Sequence, residues 1–157
     1  MSIVLLSEIR AQVAAGRRLL GIDLGEKTIG LALSDTLLTV ATPYQTLKRG
    51  KFTVDATSIE AIAAKEGVGG VVIGLPLNMD GSDGPSAQSA RAFARNFANR
   101  SSLPVLLWDE RLSTAAVQRD MIAADATRKR RAAAVDKVAA AYILQGGLDA
   151  LRNLPPR

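Results

Sequence analysis

A chain of 157 residues, 48% hydrophobic and 22% charged, has the size and balance of one globular domain, and no apolar run approaches the roughly 20 residues of a membrane span. It contains no cysteine and no histidine, which excludes disulfides, thiolate nucleophiles, Ser-His triads and every imidazole or thiolate metal site. The net charge of +5 is uneven, because residues 1–75 carry 8 Lys and Arg against 7 Asp and Glu while residues 76–157 carry 12 against 8. The basic half suits a polyanionic partner, or is simply the surface of a slightly basic protein.

Ile3-Val4-Leu5-Leu6 is too short for the core of a signal peptide, so the chain is expected in the cytoplasm. Residues 7–16 read as a short helix with Ser7 as N-cap and Gly16 as its stop. Leu19 to Gly25 follows as a buried strand interrupted by one acid, Asp23. Gly25-Glu26-Lys27 makes a turn, and Ile29 to Ser34 completes a hairpin. A third strand is expected from Val40 to Leu47, near an edge because Pro43 cannot donate to a ladder. Residues 53–66 have helical spacing and stop at Gly67. Val71 to Leu75 is a continuous apolar run, the mark of a strand covered on both faces. A polar loop at 76–85 leads to a helix from Ser86 to about Arg100, and then to a buried strand at Val105 to Trp108. Ser113 is expected to cap a helix reaching Ala123. Arg128-Lys129-Arg130-Arg131 reads as a basic loop before an Ala-rich helix from 132 to about 150. The order predicts a mixed α/β sandwich: an antiparallel three-strand meander plus two parallel strands, with helices on both faces.

With neither imidazole nor thiolate available, a metal must sit on oxygen donors, which favours Mg²⁺, Mn²⁺ or Ca²⁺. Asp23 lies between Ile22 and Leu24, where an ionised carboxylate costs several kcal/mol unless it is paired or metal-bound. It is either a functional acid or a structural one held by backbone or an arginine. Asp109 and Glu110 end a later strand, and side-chain alternation lets only one of them share Asp23's face. Glu110 is expected there, leaving Asp109 to pair with Arg111 or to cap a helix. Asp136 falls in the first turns of the last helix, a place acids favour for the macrodipole alone. Ala132, Ala133, Ala139 and Ala140, however, let that helix approach a sheet closely. Gathered together, three such carboxylates hold one or two divalent ions, the arrangement that hydrolyses phosphodiesters.

Other acids have plainer readings. Asp35 is expected to form a turn, the alternative being an acid that supports the metal ligands. Asp80 and Asp83 do not belong to an EF-hand, because no Glu stands at the twelfth loop position. Their glycine-rich loop either holds a phosphate on backbone N–H groups or is a solvated turn. Arg128–Arg131 is either a solvated face or a phosphate contact at the mouth of the site. Six aromatic residues are too few for a base-stacking platform, so phosphate and shape contacts are expected.

Five segments in order carry a family resemblance. They are Gly21-Ile22-Asp23-Leu24-Gly25, Gly30-Leu31-Ala32-Leu33-Ser34-Asp35, Gly74-Leu75-Pro76-Leu77-Asn78-Met79-Asp80-Gly81, Asp109-Glu110-Arg111-Leu112-Ser113-Thr114 and Val135-Asp136-Lys137-Val138-Ala139-Ala140. Across about residues 19–150 the chain resembles the YqgF family, also called RuvX. Its members are described as Holliday junction resolvases, or as nucleases maturing the small-subunit ribosomal RNA precursor. The resemblance implies an RNase H-like fold, and with the chain's length this gives one nuclease domain over residues 1–157, with 1–17 as an N-terminal helical extension that lies outside the resemblance and has no assigned role. It implies dependence on Mg²⁺ or Mn²⁺, catalytic acids at Asp23, Glu110 and Asp136, and metal ligands among Asp23, Asp109, Glu110 and Asp136. Nucleic-acid contacts are expected from Lys27, Asn78, Arg111, Arg128, Lys129, Arg130 and Arg131. Thr28 departs from relatives that carry a basic residue there, which weakens the first turn's hold on a phosphate.

The implied role is a cytoplasmic ribosome-biogenesis nuclease that processes pre-16S rRNA, with ribosomal precursor particles as partners and a monomer or dimer as the working form. A branched-DNA resolvase and a non-catalytic RNA-binding factor are the alternatives. Asp23-Leu24-Gly25 with Gly30 also resembles the first phosphate loop of sugar-kinase and actin-like ATPases, but this chain is too short for their two domains.

Overall fold

The computed structural model describes residues 3–112 and 128–155, with side chains in the second stretch described from Lys137 onward. A two-residue strand, β1 (Ile3–Val4), precedes α1 (Leu6–Gln12). The meander is β2 (Arg18–Leu24), β3 (Thr28–Ser34) and β4 (Ala41–Lys48). After it come α2 (Phe52–Glu66), β5 (Val68–Leu75), α3 (Pro85–Arg100) and β6 (Val105–Asp109). A 3-10 turn (Glu110–Leu112) and the long helix α4 (Arg128–Arg152) complete the described elements.

The six strands order as β1-β6-β5-β2-β3-β4. The hairpin signals give antiparallel β2–β3–β4, and the helical crossovers make β5 parallel to β2 and β6 parallel to β5. β4 is the edge strand that Pro43 demands, with a register shift on β3 close to the residue facing it. Apolar residues of β2 and β5 cover both faces. Leu20, Ile22, Val71 and Ile73 pack against Ile59, Phe93 and Phe97 of α2 and α3. Leu19 and Val72 pack against Ile9 of α1 and Ile143, Leu144 and Leu148 of α4. Burying each of these large side chains stabilises the fold by about 1.5–3 kcal/mol. Gly67 stops α2 at φ +68, a left-handed value that costs glycine little.

Beyond shifts of a residue or two, three boundaries differ from the sequence reading. The N-terminal segment opens as a strand, with Ile3 paired to Val105 and Val4 to Leu106. The extended residue before α1 is therefore Leu5, and Ser7 lies inside the helix. The Leu5 N–H donates to Glu8 Oε1 at 2.9 Å, the backward half of a capping box. The helix then ends at Gln12, before Gly16. Residues 3–12 are thus part of the packed fold: β1 extends the sheet and Ile9 is fully buried. The basic run is the second difference, since Arg128–Arg131 is the first turn of α4 and not a loop. Arg and Lys are good helix formers, and they extend the helix that the alanines propagate. The third concerns β5, which begins three residues earlier than its apolar core. The helix expected from Ser113 to Ala123 falls outside the described residues. Among those that are described, no helix is long and apolar enough to cross a membrane.

Asp35 forms its turn. The carboxylate accepts the backbone N–H groups of Thr39 and Val40, at 2.7 and 3.0 Å, and the Thr39 hydroxyl. These bonds to the charged form, the Thr39 hydroxyl first, hold its pKa at about 2 against an ordinary 3.8. Because the folded value is the lower one, the carboxylate's contribution is complete above about pH 4 and fades as pH falls toward 2. Asp35→Asn should therefore melt below the native protein at pH 6, with the gap closing between pH 4 and pH 2. A gap unchanged by pH would contradict this.

Candidate active site

On β2 the alternation puts Leu19, Gly21 and Asp23 on the α4 face and Leu20 and Ile22 on the other. Asp23, the penultimate residue of the strand, is 5% exposed. On β5, Val72 and Gly74 share that face. Ile22 pairs with Ile73, so the next residues along these parallel strands, Asp23 and Gly74, lie level with each other. Adjacent strands stand about 4.8 Å apart.

Glu110 arrives from the far side. β6 ends at Asp109, and the 3-10 turn brings the Glu110 side chain back over β5, where it is 6% exposed. Its Oε2 lies 2.9 Å from the point a Cβ on Gly74 would occupy. The missing side chain at Gly74 thus leaves the place that this carboxylate fills, one strand away from Asp23. Of the pair Asp109 and Glu110, it is Glu110 that shares Asp23's face.

Asp109 is turned to the opposite face and held by Arg111. Arg111 Nη2 donates to Asp109 Oδ2 at 2.7 Å, and the Arg111 backbone N–H donates to Oδ1 at 2.9 Å. The hydrogen bonds to the Arg111 side chain, more than offsetting partial desolvation, hold the Asp109 carboxyl below the usual range. Arg111 also donates from Nη1 to the Met79 carbonyl at 3.4 Å. The two residues form a strut between the end of β6 and the 76–84 loop.

α4 crosses this face antiparallel to the central strands. A Cβ on Gly21 would sit 2.9 Å from the Ala140 carbonyl oxygen, one on Gly74 would sit 2.6 Å from Ile143 Cδ1, and one on Gly147 would sit 3.6 Å from Val72 Cγ1. From Gly21 to Asp23 the strand rises about 6.6 Å, and four residues of helix back from Ala140 rise about 6 Å. The backbone of residue 136 is therefore level with Asp23, and the Asp136 side chain lies outside the described ones. Ala139 and Ala140 are fully buried, as the close approach requires.

The remaining expected contacts are dispersed. Lys27 is exposed in the β2–β3 turn beside the end of Asp23's strand. Asn78 works within its own loop, where its amide donates to Ser82 Oγ at 3.0 Å and its N–H to the Ser82 carbonyl at 2.9 Å. Asp80 accepts the Ser82 N–H at 2.9 Å, and Asp83 pairs with Arg91 at 2.6 Å, so that loop is a self-bonded turn. Arg128, Lys129, Arg130 and Arg131 stand on the first turn of α4, their side chains outside the described ones. Sequence reasoning passed over Gly74, because a glycine in an apolar run signals close approach without saying to what.

Among the described residues three acids are buried: Asp23, Asp55 and Glu110. Asp55 accepts the Gly50 N–H at the start of α2, at 3.2 and 3.1 Å. The other two share one face at the carboxyl ends of β2 and β6, on either side of β5. Among the described residues no three carboxylates gather to hold a cation.

A family model described as "RuvX: Holliday junction resolvase" matches residues 17–150. The chain belongs to the RuvX family. Two relatives, each named "Putative pre-16S rRNA nuclease", resemble it over nearly its whole length. The one from Paramagnetospirillum magneticum is 56% identical over 149 residues, covering 95% of this chain and 96% of its own. The one from Gluconacetobacter diazotrophicus is 58% identical over 144 residues, covering 91% and 94%. Among solved structures, the RuvC of T. thermophilus in complex with a Holliday junction substrate aligns with a TM-score of 0.51. It is 15% identical and covers 87% of this chain and 96% of its own, a likeness of fold. In this RuvX protein the paired carboxylates offer hard oxygen donors, with neither imidazole nor thiolate in the whole chain. That donor set fits a hard divalent cation.

Proposed function

We propose that this RuvX protein is a cytoplasmic, metal-dependent nuclease that hydrolyses phosphodiester bonds in structured RNA and processes the precursor of 16S ribosomal RNA. The observation that carries it is the placement of two buried carboxylates on one face of the sheet, Asp23 at the carboxyl end of β2 and Glu110 just past β6 with its side chain over the intervening β5. A divalent cation bound between two buried carboxylates would stabilise their charged forms.

Asp23, Glu110 and Asp136 on α4 would hold Mg²⁺ or Mn²⁺, which supplies Lewis acidity toward the phosphate and lowers the pKa of a water molecule. The residues' part is to keep these oxygens in place before substrate arrives, because reorganisation during the reaction is what preorganised sites avoid. Lys27 and the basic first turn of α4 flank the same end of the sheet. They neutralise backbone phosphates and set the register of the nucleic acid without reading its sequence. The relatives' name favours precursor 16S ribosomal RNA as the substrate, and our reading places that RNA within ribosomal precursor particles. The family's description favours a second reading, branched DNA.

The test offers purified protein a pre-16S rRNA fragment and a four-way DNA junction, with Mg²⁺, Mn²⁺ or EDTA. Metal-dependent cleavage of the RNA is expected, steeply weakened by salt. Folded protein that cuts neither substrate overturns the proposal, and cleavage of the junction alone shifts it to DNA. Mn²⁺ should also raise the melting temperature of the substrate-free protein, by linkage of about 2.7 kcal/mol at a hundredfold excess over Kd. Asp23→Asn should lose that rise.

A further inference from the structure

Resting on this nuclease reading, we infer that Arg49 is a positioning residue for the carboxylate centre: it clamps the turn that follows Asp23 and pins it to α3. Arg49 leaves the edge strand β4 and closes on the turn twice. Its backbone N–H donates to the Lys27 carbonyl at 2.9 Å, and its Nη1 donates to the Gly25 carbonyl at 2.7 Å. Its Nη2 donates to Ser89 Oγ on α3 at 3.0 Å. One residue thus takes the carbonyls on both sides of Glu26. The turn is closed from within by the Gly25 N–H donating to the Thr28 carbonyl at 2.8 Å. Asp23 lies two residues before Gly25, so any rotation of the turn reaches the end of β2.

The clamp has its own foundation. Gly50, next in the chain, donates its N–H to both oxygens of Asp55, which is 4% exposed. This is the buried acid that the carboxylate centre does not use. Phe52, at the start of α2, meets Phe93 of α3 edge-on with ring centroids 5.2 Å apart. The Arg49–Gly50 corner is therefore fixed to α2 and α3 while its guanidinium holds the turn. A planar fork with donors at fixed angles reaches two acceptors on different elements, which a lysine ammonium cannot reproduce. Beside the fork a cleft of about 350 Å³ leaves the guanidinium half-exposed, so a test must separate geometry from charge.

Arg49→Lys keeps the charge and loses the fork, Arg49→Met loses both, and Ser89→Ala removes one tine. Tyr44→Phe serves as a control on the same edge strand, where the Tyr44 hydroxyl donates to Glu66. The readouts are melting temperature, kcat and KM on the RNA fragment with its salt dependence, and Mn²⁺ affinity of the substrate-free protein by electron paramagnetic resonance. A displacement of about 1 Å in a catalytic group costs on the order of 10²-fold in rate. Arg49→Lys and Arg49→Met should both lose about 10- to 100-fold in kcat, with KM and salt slope near native and Mn²⁺ affinity several-fold weaker. Ser89→Ala should fall between, and Tyr44→Phe should lower only the melting temperature. Native kcat and Mn²⁺ affinity in Arg49→Lys overturn the proposal, as does a loss confined to KM or no larger than the unfolded fraction explains. If native protein neither cuts nor binds Mn²⁺, the nuclease reading falls and takes this one with it. If native protein cuts and Arg49→Lys matches it, only the clamp falls.

Discussion

Asp23→Asn and Glu110→Gln should each lower kcat for phosphodiester cleavage on the order of 10³-fold, the upper range for losing one preorganised electrostatic group. Asp109→Asn should stay within several-fold of native. Asp109 and Glu110 are adjacent, equally acidic and carried by the same short motif, so only their placement separates them. Glu110 is buried over Gly74 on the face of Asp23, whereas Asp109 looks the other way and is spent on Arg111. Losing the Asp109 strut loosens the end of β6 and disturbs Glu110 indirectly, hence a small effect. An amide keeps the size of the side chain and removes its charge, so a loss in the two inner variants reports on cation holding and not on packing. Single-turnover cleavage, with melting temperatures recorded alongside, decides the matter. Asp109→Asn losing as much as Glu110→Gln would show that the wrong acid has been assigned.

Gly21→Ala should be the most destabilising single methyl in the central sheet, at about 3 kcal/mol, the upper end for overpacking a close-packed interior. Its new Cβ would stand 2.7 Å from Leu144 Cβ and 2.9 Å from the Ala140 carbonyl. Both belong to the stiff part of α4, so the helix as a whole must retreat. For a chain of this length that corresponds to a fall in melting temperature of roughly 6–12 °C. Cleavage should fall too, because the turn that bears Asp136 retreats with the helix. Gly74→Ala offers the contrast. Its Cβ would meet Ile143 Cδ1 at 2.6 Å and Glu110 Oε2 at 2.9 Å, the ends of side chains that can rotate away. It should cost less stability and proportionately more activity, since the group it displaces is Glu110. Calorimetry and cleavage rates on the two variants check both halves, and a Gly21→Ala protein that melts like native would refute the close-approach argument.

Much of the architecture was readable because its signals are local. The apolar run at Val71–Leu75, the polar turn at Gly25–Lys27 and the left-handed stop at Gly67 each follow from a few neighbouring residues. The readings that failed are those where a neighbouring element outweighed the local preference. Ser7 is a good cap, but β1 pairs with β6 up to Val4, and the chain turns into a helix before Ser7 can serve. Four consecutive basic residues read as a solvated loop, but α4 runs through them. Asp55 and Arg49 drew no attention, because an acid in a helix's first turn and a basic residue after a strand are commonplace until their partners are known.

The residue inventory alone narrows the chemistry. Without histidine or cysteine, acid–base work falls to carboxylates, lysine, tyrosine or metal-bound water, and the apolar flanks of Asp23 mark it as an acid that needs a reason. Local pattern determined too that the sheet is mixed, because periodicity and turn residues act over a few positions at a time. Which acids share a face depends on packing between elements far apart in the chain. Asp23 and Glu110 are 87 residues apart, and they converge because Ile22 pairs with Ile73, Gly74 pairs with Trp108, and Gly74 has no side chain. Register between strands and the approach of a helix are set by how whole faces pack, and no window of neighbouring residues contains that.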